Sequence, residues 1–101
     1  MEPDRIPSFR IADVVQSLRG RDAGQLYYVY RVGAGYVELV NGKDRRIEKP
    51  KRKNVRHLKE VLRPQTRVAE KLRNGDKVLN SELRRDLAYL SKTMQANDLG
   101  G

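Results

Sequence analysis

The residues with the clearest chemistry in this sequence are basic, and they are concentrated in one segment. Residues 43–63 contain ten of the chain's 22 lysines and arginines and only three of its 13 acidic residues; the ten are Lys43, Arg45, Arg46, Lys49, Lys51, Arg52, Lys53, Arg56, Lys59 and Arg63. This segment therefore carries most of the net charge of +9. A concentrated block of fixed cations suits a polyanionic partner, because binding releases the partner's counterions. A solvated, self-repelling surface segment is the alternative explanation.

A second group of residues suited to phosphate contact lies in a polar loop nearer the N-terminus. Gly20 and Gly24 are four residues apart, and Arg19 and Arg21 flank the first of them. Glycine lets the backbone approach a phosphate closely, and arginine binds phosphate in a forked geometry that lysine lacks. The glycines could also serve turn geometry alone, and the two roles are compatible.

Aromatic side chains next to these basic segments are candidates for stacking on unpaired bases. Tyr28 and Tyr30 should face one side of a strand and Tyr27 the other, because strand side chains alternate. One side must be core, so we expect at most one or two of these tyrosines or Tyr36 to contact a base. His57 could stack or contact a phosphate, although a structural role is favoured.

Several classes of function are excluded by what the sequence lacks. There is no cysteine, and His57 is the only histidine, so we expect no metal site and no thiol nucleophile. Asp22, Asp44, Glu48 and Asp76 lie in polar contexts, and no phosphate-loop or dinucleotide signature occurs, so we expect no enzyme and no cofactor. No apolar run approaches the ~18–20 residues of a membrane span, and the start lacks a secretory pattern. These features predict a cytoplasmic protein.

The elements that would position these residues begin with short strands. Residues 11–17, 25–32 and 36–40 are rich in β-branched and aromatic residues and are bounded by glycines. Asn41-Gly42 predicts a type I′ turn that folds residues 43–48 back on residues 36–40. Pro50 should end that strand or lie at a sheet edge, and Val55 and Leu58 should anchor the basic segment to the core.

Two helices are predicted after Arg63. Pro64 suits a first helical turn, and Gly75 suits a C-terminal cap. Asn80 or Ser81 should cap a second helix, whose apolar stripe is Leu83, Leu87 and Leu90. Four or five short strands followed by two helices predict an α+β protein, and five short strands in about 50 residues would favour a small, strongly curved barrel of SH3 type. The expected organisation is a flexible N-terminus (1–8), a barrel with the basic segment (9–62), a two-helix extension (63–95) and a flexible tail (96–101).

Two segments carry a resemblance to a known family. Residues 14–29 resemble a KOW motif, with Gly20 and Gly24 at the motif's spacing, and Arg21-Asp22-x-Gly24 is the form found in the ribosomal protein L14e group. Residues 44–58 are similar to a second L14e-like stretch, with a basic strand, Lys-Pro-Lys and a His-Leu pair. The match covers roughly residues 9–60 and is closest to the small KOW-domain RNA-binding proteins of Gram-positive bacteria. Residues 71–84 look like their C-terminal extension, whereas Asp13 stands where many KOW motifs have glycine.

The resemblance implies an SH3-like barrel, RNA binding, association with the ribosome and no catalysis. We therefore expect contacts to structured ribosomal RNA, with ribosomal proteins as further candidate partners, and no cofactor. The expected RNA-binding residues are Arg19, Gly20, Arg21, Gly24, Arg45, Arg46, Lys49, Lys51, Arg52, Lys53, Arg56 and His57. A protein-interaction module that docks on an acidic partner through its helices is one alternative, and a DNA-associated KOW module is another. Whether the helices pack on the barrel or engage a partner stays open, as does the oligomeric state.

Overall fold

A computed structural model describes the backbone of residues 8–100 and the side chains of residues 8–94. Five antiparallel strands precede two helices, which confirms the predicted α+β class. The sheet order β4-β3-β2-β1-β5 places β4 and β5 at the two edges. The elements are β1 (Val14–Ser17), β2 (Leu26–Val32), β3 (Tyr36–Val40), β4 (Lys51–Asn54), a 3-10 turn (Val55–His57), β5 (Leu58–Leu62), α1 (Arg67–Asn74) and α2 (Asn80–Gly100).

One face of the sheet forms a first core without help from the helices. Alternate residues of β1, β2 and β3 meet on this face, as the period of two requires. The 3-10 turn and the start of β5 contribute Val55 and Leu58, whose predicted role as anchors is confirmed. The buried set is Phe9, Val15, Tyr27, Val29, Val37, Leu39, Val55 and Leu58.

The opposite face of the sheet is covered by the two helices. Val14, Tyr28 and Val40 are fully buried there against apolar residues of α1 and α2. The predicted stripe of Leu83, Leu87 and Leu90 belongs to this second core, as do Val68 and Leu72 of α1. The helices therefore pack on the sheet, and their apolar stripes are occupied by this contact.

The predicted hairpin, in which a turn at Asn41-Gly42 folds residues 43–48 back on residues 36–40, does not form. Residues 43–48 form no strand, and β3 pairs instead with β4, with Glu38 opposite Arg52. Gly42 has a positive φ of 76°, but Asn41 does not, so the turn is not of type I′. The Asn41 side chain instead accepts the backbone N–H groups of Lys43 and Arg45, which closes a wider loop.

This loop, residues 41–50, is held in place by α2. The backbone N–H of Ile47 donates to Oδ1 of Asn80 at 2.9 Å, and the Asn80 amide donates to both oxygens of Glu48. Asn80 is therefore engaged with the loop and does not cap its own helix. Glu82 caps the helix by accepting the N–H of Leu79 at 3.0 Å.

Three predicted boundaries also move. The first strand begins at Val14 because Ala12 has a φ of 73° and residues 11–12 form a turn. The first helix begins at Arg67 with Thr66 as its cap, so Pro64 lies outside it, whereas the Gly75 cap is confirmed. The second helix continues to Gly100 through most of the segment assigned to a tail, since no proline or glycine interrupts it earlier. The predicted flexible N-terminus lies outside the described residues, except Ser8.

Candidate nucleic-acid interface

A buried carboxylate organises the loop between β1 and β2. Both oxygens of Asp22 accept hydrogen bonds: Oδ1 from the Ser17 hydroxyl at 2.9 Å and from Lys53 Nζ at 3.1 Å, and Oδ2 from Lys51 Nζ at 2.9 Å and from the Tyr27 hydroxyl at 3.0 Å. Ser17 and Tyr27 belong to the strands that flank the loop, and the two lysines belong to the edge strand β4. Asp22 therefore ties the loop to three different strands.

The electrostatics of Asp22 favour its charged form. Burial by itself would raise the pKa of this carboxyl, but hydrogen bonds from Lys51, Lys53, Ser17 and Tyr27 outweigh it and hold the pKa far below its usual range. Burial and the hydrogen bond to this carboxylate also raise the pKa of the Tyr27 hydroxyl. The cluster is thus a permanent ion pair at neutral pH.

Lys53 is bound within the protein more completely than the sequence suggested. Its side chain is only 9% exposed, and its ammonium donates to Asp22, to the Ser17 hydroxyl and to the backbone oxygen of Arg19. These three bonds use all three of its protons. Lys51 is 26% exposed and keeps donors available beside its bond to Asp22. Lys53 therefore holds the loop in position. Lys51 also binds Asp22 but is exposed enough to contact a ligand.

Four further cations lie around this anchored loop. Arg19 and Arg21 are exposed on the loop itself, and Arg56 is exposed on the adjacent 3-10 turn. The backbone N–H of Leu18 donates to the carbonyl of His57 at 2.9 Å, which joins the turn to the loop. Arg45 reaches the same place from the 41–50 loop. We call this surface, formed by Arg19, Arg21, Arg45, Lys51 and Arg56, the basic end of the sheet.

A cleft of about 350 Å³ opens at the basic end. It is lined by Arg21, Asp22, Gln25, Tyr27, Asp44, Arg45 and Lys51. Three cations therefore converge on one cleft from three segments of the chain, with two carboxylates beside them. A phosphate group at its mouth would meet guanidinium and ammonium donors at once.

The two predicted glycines shape the loop backbone. Gly20 has a φ of 91° and Gly24 a φ of 92°, a region that side chains with a Cβ rarely adopt. A Cβ on Gly20 would lie 3.4 Å from Oδ1 of Asp22, whereas one on Gly24 would meet open space. Turn geometry therefore accounts for both residues, and Gly24 also leaves the backbone accessible.

Three predicted RNA-binding cations lie outside the basic end. Arg52 is on the other face of β4, where its guanidinium stacks on Tyr36 at 4.0 Å from the ring centroid. Arg46 and Lys49 are exposed on the 41–50 loop, but neither lines the cleft. The structure therefore divides the predicted site into a cluster at the basic end and separate surface cations.

The tyrosines and His57 have mainly structural environments. Tyr27 and Tyr28 are buried on opposite faces of the sheet, as the predicted alternation requires. Tyr30 and Tyr36 are half-buried, and an arginine stacks on each ring, Arg31 and Arg52 respectively. His57 is also half-buried.

Sequence reasoning missed Asp22 as the centre of the site. The available signal was a lone acid among arginines and glycines, in the Arg-Asp-x-Gly pattern.

Among the described residues, no group of three or more His, Cys, Asp or Glu side chains is placed to hold a metal ion. No described helix has the length and apolar character that would let it cross a membrane. The chain matches no model of a known protein family, and no curated protein is significantly similar to it.

Proposed function

We propose that this protein binds structured RNA, most simply ribosomal RNA in the cytoplasm, through phosphate contacts at the basic end, without catalysing a reaction. The observation that carries this proposal is the convergence of three basic segments around one buried carboxylate. The loop with Gly20 and Gly24 and the 3-10 turn bring exposed arginines to the same end of the sheet, and the 41–50 loop brings the half-buried Arg45 there. RNA binding is favoured by such an array because each neutralised phosphate releases counterions.

The fold geometry supports an SH3-like barrel of KOW type as the scaffold. The edge strands β4 and β5 are joined by only three residues, Val55–His57. Four chain steps span at most about 14 Å, whereas five flat strands would set the edges about 19 Å apart. The sheet must therefore be strongly curved, so that its edges approach each other. The loop of the proposed motif also joins two paired strands, β1 and β2.

The basic residues have two kinds of role in this function. Arg19, Arg21, Arg45 and Arg56 contact phosphates, and Lys51 contributes from the cleft. Lys53 holds the loop that presents them, so it acts as a positioning residue. Arg46, Lys49 and Arg52 extend the positive field around the contact surface, which increases the association rate.

The alternative function, docking on an acidic protein through the helices, has less support. The apolar stripe of α1 and α2, formed by Val68, Leu72, Leu83, Leu87 and Leu90, is buried against the sheet.

Sedimentation of the protein from a cell lysate tests the proposed function. We expect it to migrate with a ribosomal subunit on a sucrose gradient, and to be released by raised salt or by ribonuclease. Migration at the top of the gradient under every condition would contradict the proposal, and so would association that survives ribonuclease.

A titration with purified RNA tests the residues. Fluorescence anisotropy with a structured ribosomal RNA fragment should show tighter binding than with duplex DNA of equal length. The double variant Arg19→Gln/Arg21→Gln should reduce the slope of log Kobs against log[salt] by about 1.5, the value for two phosphate contacts. The matched control Arg31→Gln/Arg85→Gln removes the same charge from two exposed arginines outside the basic end and should leave the slope nearly unchanged. Equal effects of the two double variants would overturn the assignment.

A further inference from the structure

A second basic cleft lies at the other end of strands β1 and β5. It has a volume of about 500 Å³ and is lined by Arg10, Ile11, Arg63, Gln65 and Arg73. These residues come from the segment before β1, the end of β5 and the last turn of α1, so the fold brings together three arginines that are far apart in sequence. The expected RNA-binding residues include none of them.

The lining of this cleft is more uniformly positive than that of the basic end. Three guanidinium groups line it together with one amide, and none of its lining residues is acidic. The cleft at the basic end contains Asp22 and Asp44 among its lining residues. The carboxylates nearest the second cleft, Asp13 and Glu60, lie outside its lining, and both are paired with Arg63.

Two of the three guanidinium groups are held in fixed positions. Arg63 binds the fully buried Asp13 through Nε–Oδ1 at 2.8 Å and Nη2–Oδ2 at 3.3 Å, and Nη2 also contacts Glu60 at 3.2 Å. Arg73 donates from Nη2 to the backbone oxygen of Pro64. Fixed donors lose little entropy when they bind a ligand, so they are suited to an anion site.

The ion pair with Asp13 accounts for the presence of Arg63, but not for the two other arginines that line the cleft, Arg10 and Arg73. A single counter-charge is sufficient for one buried carboxylate, and Glu60 adds a second partner for the same arginine. The α1 dipole favours a cation at Arg73, but Arg10 has an exposed side chain that adds positive charge to the cleft. Such an arrangement is favourable when an anion occupies the cleft.

The second cleft is connected to the basic end along the β5 edge. Ser17 pairs with Leu58 at the loop end of β1, and Val14 pairs with Leu62 at the cleft end. This length of strand is about 13 Å at the usual rise per residue. Lys59 is exposed on β5 between the two ends, next to the exposed Glu60, so Arg56, Lys59 and Arg63 place cations at three points along the edge of the sheet.

We propose that the second cleft binds a backbone phosphate of the same RNA that contacts the basic end. The inference rests on the proposed function and makes it more specific, because the RNA is then held at two points on either side of β5. The RNA backbone crosses the β5 edge, and Lys59 lies beneath it. The ligand recognised in the cleft is a phosphate diester.

Salt-dependent RNA binding by variants of the second cleft tests this inference. Arg10→Glu is the first variant, because the side chain is exposed. Arg10→Gln/Arg73→Gln is the second, with its fold checked by thermal unfolding, since Arg73 contacts Pro64. For each phosphate that a variant no longer binds, RNA affinity should fall roughly five- to eightfold at 0.1 M salt, and the salt slope should fall by about 0.7–0.9. The control is again Arg31→Gln/Arg85→Gln.

A second measurement separates the failure of this inference from failure of the proposed function. Inorganic phosphate is titrated into the wild-type protein while the arginine Nε–H signals of the second cleft are followed by NMR. RNA binding with an unchanged slope in the Arg10 variants overturns the inference and leaves the proposed function standing. Phosphate-induced shifts in a protein that binds no RNA would contradict RNA as the ligand and identify a free phosphate compound as its source. Absence of both signals overturns both proposals.

Discussion

At the scale of single residues, Asp22 is the group on which the candidate interface depends most. It is the shared acceptor for two ammonium groups and two hydroxyls, and it is mostly removed from solvent. Its charge offsets the cost of placing Lys53 in a position with 9% side-chain exposure. The basic surface therefore depends on an acidic residue, Asp22, which holds the loop and the lysines beside it in place.

Replacing Asp22 tests whether this carboxylate holds Lys53 and the loop in place. Asp22→Asn should lower the free energy of unfolding by roughly 3 kcal/mol, because it leaves the nearly buried Lys53 ammonium without a counter-charge. RNA affinity should fall as well, since the loop that presents Arg19 and Arg21 loses its anchor. Urea denaturation and anisotropy would measure the two effects. The milder Ser17→Ala removes one bond to Asp22 and should weaken binding less; an unaltered affinity in both variants would contradict the positioning role.

The depressed pKa of Asp22 also predicts a pH dependence. Its folded pKa lies below its value in the unfolded chain, so the unfolded state binds the proton more readily as the pH falls. The stabilisation is present in full above pH ~5 and is lost progressively as the pH falls below the unfolded value of about 3.9. Denaturant titrations at a series of pH values should show this loss in the wild type and a smaller one in Asp22→Asn. Parallel curves for the two proteins would refute it.

At the scale of elements, the 41–50 loop depends on its contact with α2. Gly42 lies against the first turn of this helix, where a Cβ would come within 2.2 Å of the backbone oxygen of Asn80. The guanidinium of Arg84 donates to the carbonyl of Gly42 at 2.6 Å from the next turn. The helix therefore positions the loop that delivers Arg45 to the basic end, although α2 does not line the cleft itself.

Two glycines with the same backbone conformation isolate this packing effect. Gly42 and Gly75 have φ angles of 76° and 73°, but a Cβ on Gly75 would meet nothing within 4 Å. Gly75→Ala should cost about 1–2 kcal/mol from the left-handed conformation alone. Gly42→Ala should cost clearly more, because the helix and loop must separate, and it should also reduce RNA affinity. Chemical denaturation of both variants measures the difference, and equal costs would refute the packing argument.

At the scale of the whole molecule, the sheet has a core on each face. Val14, Tyr28 and Val40 are fully buried beneath the helices, and the Tyr28 hydroxyl is hydrogen-bonded to Asp86 of α2 and to Thr66. The predicted boundary between a barrel and a helical extension therefore runs through a continuous core. We infer that the strands and helices unfold together.

Truncation after Leu62 tests this inference. The shortened chain should expose the apolar face of Val14, Tyr28 and Val40. It should therefore bind a hydrophobic dye and aggregate, because large exposed apolar patches associate with one another in water. The full chain should unfold in one transition whether it is followed by circular dichroism or by tyrosine fluorescence. A soluble, cooperatively folded fragment of residues 1–62 would show instead that the barrel is independent.

The features that could be predicted from the amino-acid order are those that depend on local chemistry. The first three strands, the two helices that follow the sheet, the alternation of Tyr27 and Tyr28 and the Gly75 cap follow from periodicity and from the conformational freedom of glycine, whereas β4 and β5 were not predicted. The concentration of cations in residues 43–63 was likewise evident from composition. These properties need no knowledge of distant contacts.

Which charges are available to a ligand, and which are used internally, depends on the folded chain. Lys51, Arg52 and Lys53 are consecutive in sequence, yet strand alternation turns Lys53 to Asp22 and Arg52 to Tyr36 on the other face. The 41–50 loop, which takes the place of the predicted strand, is likewise held by hydrogen bonds with Asn80, 32 and 33 residues away. Hydrogen bonds and ion pairs between distant segments leave no periodic trace in a sequence, so they become visible only once the strands and helices have packed together.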